Sequence, residues 1–407
     1  MSRGSAPAGG DLRVVGGRVL RAGGWIDADV AIRGDRIASV DVRPSSAVGP
    51  PNGRRPGREP SVLDATGLLV APGFIDLQVN GAFGHDVTSD PPSIWAVAAG
   101  LPRTGVTAFL PTVVSAPLEA VAAAMAALAA GPPPGHAGAG PIGLHLEGPM
   151  LAEARAGAHE PRFLRPPSPE VIEGWFLSAG VRLVTLAPEL PGAVDVIGEL
   201  RARGIVVSAG HSEASADQAT AGFEAGVAAG THLFNAMPSI TAAEPGLAGT
   251  LLARDDVVVG LIADGVHVPP ERLRAAWTAR GGQGIALVSD ATSAMGMPEG
   301  RYELGGRAVH LRGGEVRDDR GVLSGSALSM DRAVRTLVRE AGASPAEALT
   351  AASTTPARLL GLADRGRVEP GARADLVLLD QSLQPVATVV GGSVLVDTLD
   401  RSGVRAG

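Results

Sequence analysis

Eight short, nearly unbroken apolar runs recur through the middle of the chain, and they restrict its fold more than any other feature. They are Phe74–Val79, Thr107–Leu110, Pro141–Leu144, Leu183–Leu186, Ile205–Ala209, Val227–Thr231, Val257–Ile262 and Ile285–Ser289. Runs without polar alternation mark strands covered on both faces, as in a parallel sheet. The segments between them are mostly rich in Ala, Leu and Arg and long enough for crossover helices. Eight strand–helix units predict an α/β fold, a (β/α)8 barrel over 71–364, whose chemistry sits at the carboxyl ends of the strands.

The flanks read differently. Val14–Leu20 and Ala28–Val40 carry short strands broken by glycines, and a Pro/Gly/Arg-rich loop runs from Pro44 to Pro60. At the other end a turn at Gly366–Gly371 precedes strands at Ala374–Leu379 and Pro385–Val396. The simplest assembly is a small β-sandwich built from both termini, 1–70 with 365–407, and the barrel inserted between them. Within the barrel region, Gly131–Pro141 has the composition of a surface loop, so His136 is expected to be solvated and idle. Ser344-Pro345-Ala346-Glu347 is a capping box with proline at the first helical position. Val334, Leu337, Val338 and Ala341 follow helical spacing against a core.

Composition removes whole classes of function. The net charge is −7 with no basic stripe, which argues against nucleic acid and anionic membranes as partners. There is no cysteine, so neither disulfides nor thiolate metal ligands are available. There is also no lysine, a bias that codon usage explains, and it excludes Schiff-base chemistry, P-loop phosphate binding and a carboxylated-lysine bridge between two metals. Met1–Ser5 lacks an apolar signal region and no run approaches membrane-span length, so a soluble, cytoplasmic protein is expected.

Chemistry-bearing residues collect at the run ends. His145 and Glu147 lie two apart on one strand and are expected to face the same way. Gly210-His211 follows one run, His232 another, and Asp290 follows the last. A lone buried histidine is usually a hydrogen-bonded core residue. Glu147, His211 and His232 together supply one carboxylate oxygen and two imidazole nitrogens, the three-ligand set of a catalytic zinc-type site with an open position. Asp290 is a possible fourth ligand, but a general base for a metal-activated water fits it better.

These residues sit in a wider pattern. Pro72–Asp76, His145–Pro149, Gly210–Ser212, Thr231–Met237, Glu244–Gly246, Ala263–His267, Ser289–Ala291 and Ser324–Ala327 stand in the order seen in N-acetylglucosamine-6-phosphate deacetylases of the amidohydrolase superfamily. The resemblance runs from about Val14 to Asp380. It implies a homodimer, one divalent ion per chain, most simply Zn2+, and release of acetate from an N-acetyl amino sugar phosphate. By the same resemblance Glu147, His211 and His232 are the metal ligands and Asp290 the catalytic acid/base, while His159 polarises the acetyl carbonyl. Ala158, Asn235, Ala236, His267 and the Leu323-Ser324-Gly325 backbone touch the sugar.

The chain departs from that pattern twice. The superfamily's His-x-His after the first strand is Gln78-Val79-Asn80 here, and an amide is a poor ligand beside imidazole, so a second tightly bound metal is not expected. The basic residue that the family places on the sugar phosphate is Ala243, within Ser239–Ala243. Either His267, Arg155 or another arginine compensates, or the substrate is a different or unphosphorylated N-acetyl hexosamine. Two other readings stand beside this one: hydrolysis of an N-acyl amino acid or cyclic amide, and a catalytically dead relative kept for binding. The complete set of Glu147, His211, His232 and Asp290 argues against the last.

Overall fold

The computed structural model describes residues 11–43 and 60–399; most of the Pro44–Pro60 loop and the extreme termini lie outside them. Eight parallel strands form the centre: β1 (Phe74–Val79), β2 (Val106–Val114), β3 (Leu144–Glu147), β4 (Val181–Leu186), β5 (Val206–Ala209), β6 (Val227–Gly230), β7 (Val258–Leu261) and β8 (Ile285–Leu287). They pair in chain order, each beside the next. A single parallel bridge from Val79 to Ala291 joins the last strand region back to the first. The result is a nearly closed (β/α)8 barrel, and each expected apolar run supplies one of its strands. β1, β2, β3 and β8 are buried throughout, which is why they read as unbroken apolar sequence.

Helices cover the outside: Leu118–Ala130, Ala193–Ala202, Ala216–Ala225, Gly246–Ala253 and Pro270–Gly284 among them. The β3-to-β4 crossover has no α-helix, only single turns at Glu153–Arg155, Pro161–Phe163 and Leu177–Ala179. Pro149, Pro161, Pro166, Pro167 and Pro169 explain this, since each removes a backbone donor and clashes with a preceding helical turn. Beyond β8 the chain inserts a three-stranded antiparallel sheet: Gly300–Leu304, Arg307–Arg312 and Glu315–Asp318. Its turns are Gly305-Gly306 and Gly313-Gly314, all four with positive φ, the geometry that tight hairpins require. The helix at Met330–Thr336 continues as a π-helical turn, Leu337–Ala341, and the Ser344 capping box forms with Glu347.

Both ends of the chain share one further sheet. Its order runs Ser393–Asp397, Pro385–Val390, Leu376–Leu379, Leu69–Pro72, Arg18–Arg21, Gly24–Arg33, Leu12–Val15, Ser61–Asp64, with Arg36–Val42 also beside Gly24–Arg33. The ten-residue strand Gly24–Arg33 serves two layers: its first half pairs with Arg18–Arg21, its second with Leu12–Val15. Val14, Val30, Ile32, Leu376 and Val389 fill the space between as a separate core. One expectation fails locally. His136 is half-buried rather than freely solvated, because the loop folds back so that Ala139 N–H donates to Ala98 carbonyl and the His136 ring packs edge-on against Trp95. No described helix is long and apolar enough to cross a membrane.

Candidate metal centre

The barrel mouth holds a cavity of 330 Å³ lined by Asn80, Glu147, His159, His211, His232 and Asp290 among others. Three of these, His211, His232 and Asp290, stand just past their strands, and each has a left-handed backbone: φ is +48° at His211, +28° at His232 and +50° at Asp290. Such conformations cost on the order of 1–3 kcal/mol apiece and persist only where surrounding structure imposes them. Gly210 is part of that imposition. A Cβ there would stand 2.8 Å from the Cβ of Thr231, so only glycine lets β5 approach β6 closely enough to set His211 beside His232.

Three ligand atoms converge. His232 Nε2 lies 3.0 Å from Glu147 Oε1, His211 Nε2 lies 3.3 Å from the same oxygen, and the two Nε2 atoms are 3.1 Å apart. His211 donates its Nδ1–H to the Arg155 carbonyl at 2.8 Å, which fixes the tautomer and leaves Nε2 with its lone pair toward the cavity. A tetrahedral ion with ligands at about 2.0–2.1 Å separates them by about 3.3 Å, so the triangle fits a divalent cation. Burial pushes the Glu147 carboxyl up, but the imidazoles of His159, His211 and His232 gathered around it outweigh burial and hold the group well below the usual carboxylate range. His232 shifts up because the Glu147 hydrogen bond and charge outweigh its burial.

Gln78 and Asn80 occupy the inward face at the end of β1 and act on the site as donors. Gln78 Nε2 donates to Glu147 Oε1 at 2.9 Å, and Asn80 Nδ2 donates to Asp290 Oδ1 at 2.7 Å. Burial, reinforced by the charge of Glu147, raises the Asp290 carboxyl to about 6. That places it where a carboxyl both takes and returns a proton near neutral pH.

His159 arrives from the proline-rich crossover. Its Nδ1 accepts the Ser115 backbone N–H at 3.1 Å, so Nε2 carries the hydrogen, 3.5 Å from Glu147 Oε2. Burial lowers the pKa of His159, keeping the ring a neutral donor. The inserted three-stranded sheet holds this segment from above. Arg307 Nη1 donates to the Ala158 carbonyl at 3.0 Å, Arg320 Nη2 to the Gly157 carbonyl at 2.8 Å, and Asp318 pairs with both arginines.

The other expected site residues divide. Ala158, Asn235, Ala236, His267, Leu323 and Gly325 line the same cavity. Ser324 does not; its hydroxyl donates to the Val322 carbonyl. His267 pairs through Nδ1 with Asp264 at 2.7 Å. Ala243 lies in an exposed stretch outside the lining. His145 shares the inward face with Glu147 but sits one layer deeper: Nδ1–H donates to Leu77 carbonyl at 3.1 Å and Nε2 accepts from Thr185 at 2.8 Å. Burial depresses it to about 4, so it is a neutral core residue. Sequence reading missed the donor roles of Gln78, Asn80 and Ser115 and the clamp by Arg307 and Arg320. The two Gly-Gly turns were the signal for the clamp.

Residues 69–396 match the Amidohydrolase family. The chain is 38% identical over 396 residues to a Bos taurus protein named N-acetylglucosamine-6-phosphate deacetylase, covering 93% of this chain and 94% of the relative. It is 37% identical to an Escherichia coli O157:H7 protein named N-acetylgalactosamine-6-phosphate deacetylase, covering 90% and 94%. In structure it resembles a mutant of the Mycobacterium smegmatis N-acetyl-D-glucosamine-6-phosphate deacetylase in complex with N-acetyl-D-glucosamine-6-phosphate. That likeness has a TM-score of 0.84 at 34% identity, covering 95% of this chain and all of the other.

Proposed function

The chain belongs to the N-acetylglucosamine-6-phosphate deacetylases of the amidohydrolase family, and from that membership and the cavity's geometry we propose that it hydrolyses the acetamide of an N-acetyl amino sugar. The preferred substrate in this reading is N-acetylglucosamine 6-phosphate, giving glucosamine 6-phosphate and acetate. One observation carries it: three ligand atoms within 3.3 Å of one another share a single cavity with the buried Asp290 carboxyl and the His159 imidazole.

Glu147, His211 and His232 would hold one divalent ion, zinc by the nitrogen and oxygen donor set. Bound there, the ion supplies Lewis acidity toward the acetyl oxygen and toward the attacking water. The protein's own groups do the rest. His159 donates its Nε2–H to the acetyl oxygen as negative charge develops there. Asp290 takes the proton of the attacking water, with its own orientation set by Asn80. It then hands that proton to the sugar nitrogen as the C–N bond breaks, so the amine leaves neutral. Asn235, Ala236, His267, Ala158, Leu323 and Gly325 orient the sugar, which is where much of the rate gain from positioning arises.

A C4-epimeric sugar is the second reading, favoured by the similarity to the galactosamine-series relative. A homodimer and a cytoplasmic location complete the proposal by family resemblance. The test is acetate release from phosphorylated and free N-acetylglucosamine, N-acetylgalactosamine and N-acetylmannosamine. Release from an N-acyl amino acid panel and from none of these sugars would reverse the reading.

A further inference from the structure

We propose that Arg155 is the group that reads the substrate's anionic substituent, and that Glu213 holds it in reserve until that substituent arrives. The inference rests on the deacetylase reading above and adds to it the residue that distinguishes a phosphorylated sugar from a free one.

Charge singles out Arg155. The chain has no lysine, and among the described residues lining the cavity Arg155 is the only arginine. The other lining groups that carry charge are the acids Glu147 and Asp290 and the histidines. Three of those histidines face the Glu147 carboxylate, and His267 is paired with Asp264 at 2.7 Å. The Ser239–Ala243 stretch is exposed and contributes nothing to the lining. A phosphate monoester carries close to two negative charges at neutral pH, and the divalent ion that Glu147, His211 and His232 would hold is engaged at the acetamide in the reading above, so the phosphate calls for a second cation. Arg155 is the cation on offer.

Its position suits the task. The backbone of Arg155 is pinned to the metal centre, its carbonyl accepting from His211 and Ala152 N–H donating to the His211 carbonyl at 2.9 Å. The guanidinium is not pinned in this way. It forms an ion pair with Glu213, and the two side chains are 34% and 43% exposed. Exposed pairs of this kind are weak because water screens them and two flexible side chains must be ordered. The Glu213 backbone is separately fixed, its N–H donating to Glu189 Oε1 at 2.6 Å, while Ser212, whose hydroxyl donates to Glu189 Oε2, bonds by its N–H to the Ala236 carbonyl. The pair therefore stands beside the Asn235–Ala236 wall of the cavity. A phosphate offers the planar guanidinium a two-pronged, charge-assisted contact in exchange for a screened carboxylate.

The test measures kcat/KM for N-acetylglucosamine 6-phosphate and for N-acetylglucosamine, with binding of the products glucosamine 6-phosphate and glucosamine by calorimetry as a readout independent of turnover. Arg155→Met retains the backbone carbonyl that orients His211. It is expected to lower the preference for the phosphorylated form about 10- to 100-fold, through KM and product affinity, with metal content still one ion per chain. Glu213→Gln removes the competing carboxylate and is expected to raise that preference about 2- to 5-fold. Arg155→Lys should recover part of it. Equal losses for both sugars in Arg155→Met, a weakened phosphate preference in Glu213→Gln, or no preference in the wild-type protein would each overturn the assignment. Acetate release from either sugar in those last cases leaves the hydrolase reading intact, whereas acetate release from neither counts against that reading alone.

Discussion

Replacing Gln78 by leucine isolates the difference between a metal ligand and a group that orients one. Gln78 and Glu147 are 2% and 3% exposed, and the amide donates to Glu147 Oε1 at 2.9 Å. A hydrogen bond to a buried carboxylate contributes about 1.5–3 kcal/mol, equivalent to roughly 10- to 150-fold in an equilibrium constant. Leucine is close to glutamine in size, so the cavity left behind is small and the change reports mainly the lost N–H. The expected result is a zinc affinity weaker by about 10- to 100-fold, the usual penalty for losing a group that orients a ligand, with stoichiometry still at one ion. Competition against a chromophoric chelator measures it, and a denaturant titration of the metal-free protein checks that the barrel is intact. If affinity is unchanged, the Gln78–Glu147 bond does not orient the ligand. If the wild type holds two ions and the variant one, Gln78 is itself a ligand and the single-metal account is wrong.

The remaining predictions concern the other walls of the site. Asp290→Asn should retain the metal while kcat falls on the order of 10²-fold or more; joint loss of metal and activity would move Asp290 into the ligand set. Arg307→Ala frees the Ala158 carbonyl and should lower kcat/KM by about 10-fold at unchanged metal content, and a normal rate would show that the inserted sheet does not position His159. His145→Leu leaves the Leu77 carbonyl unpaired and should cost about 1–3 kcal/mol of stability by denaturant unfolding. Metal content should stay at one ion, and its loss would contradict the core role given to His145.

Much of the architecture was legible in the sequence for a physical reason. Parallel strands covered on both faces need no polar alternation, so β1 through β8 stand out as apolar runs, displaced from their observed ends by up to a few residues. The convergence of Glu147, His211, His232 and Asp290 was legible because barrel chemistry gathers at strand ends, which is where all four stand. The inserted sheet over Gly300–Asp318 was missed although its two Gly-Gly turns are strong hairpin signals, because a repeating strand–helix pattern makes a helix the expected successor to β8. Eight strand–helix units were expected, but the β3-to-β4 crossover has no α-helix because its prolines forbid one. What sequence cannot show is partnership across the barrel: that Gln78 donates to Glu147, Asn80 to Asp290 and Ser115 to His159 depends on register between strands far apart in the chain. The same limit separates His145 from Glu147. They share a face, yet one packs against Thr185 and the other meets two imidazoles.

The most direct test of the account is a titration of zinc into the metal-free protein while acetate release from N-acetylglucosamine 6-phosphate is followed. The account predicts activity that rises linearly to one equivalent per chain and then stays level, and no such rise in His211→Ala or His232→Ala. Activity independent of added metal, a break at two equivalents, or full activity in either histidine variant would contradict it.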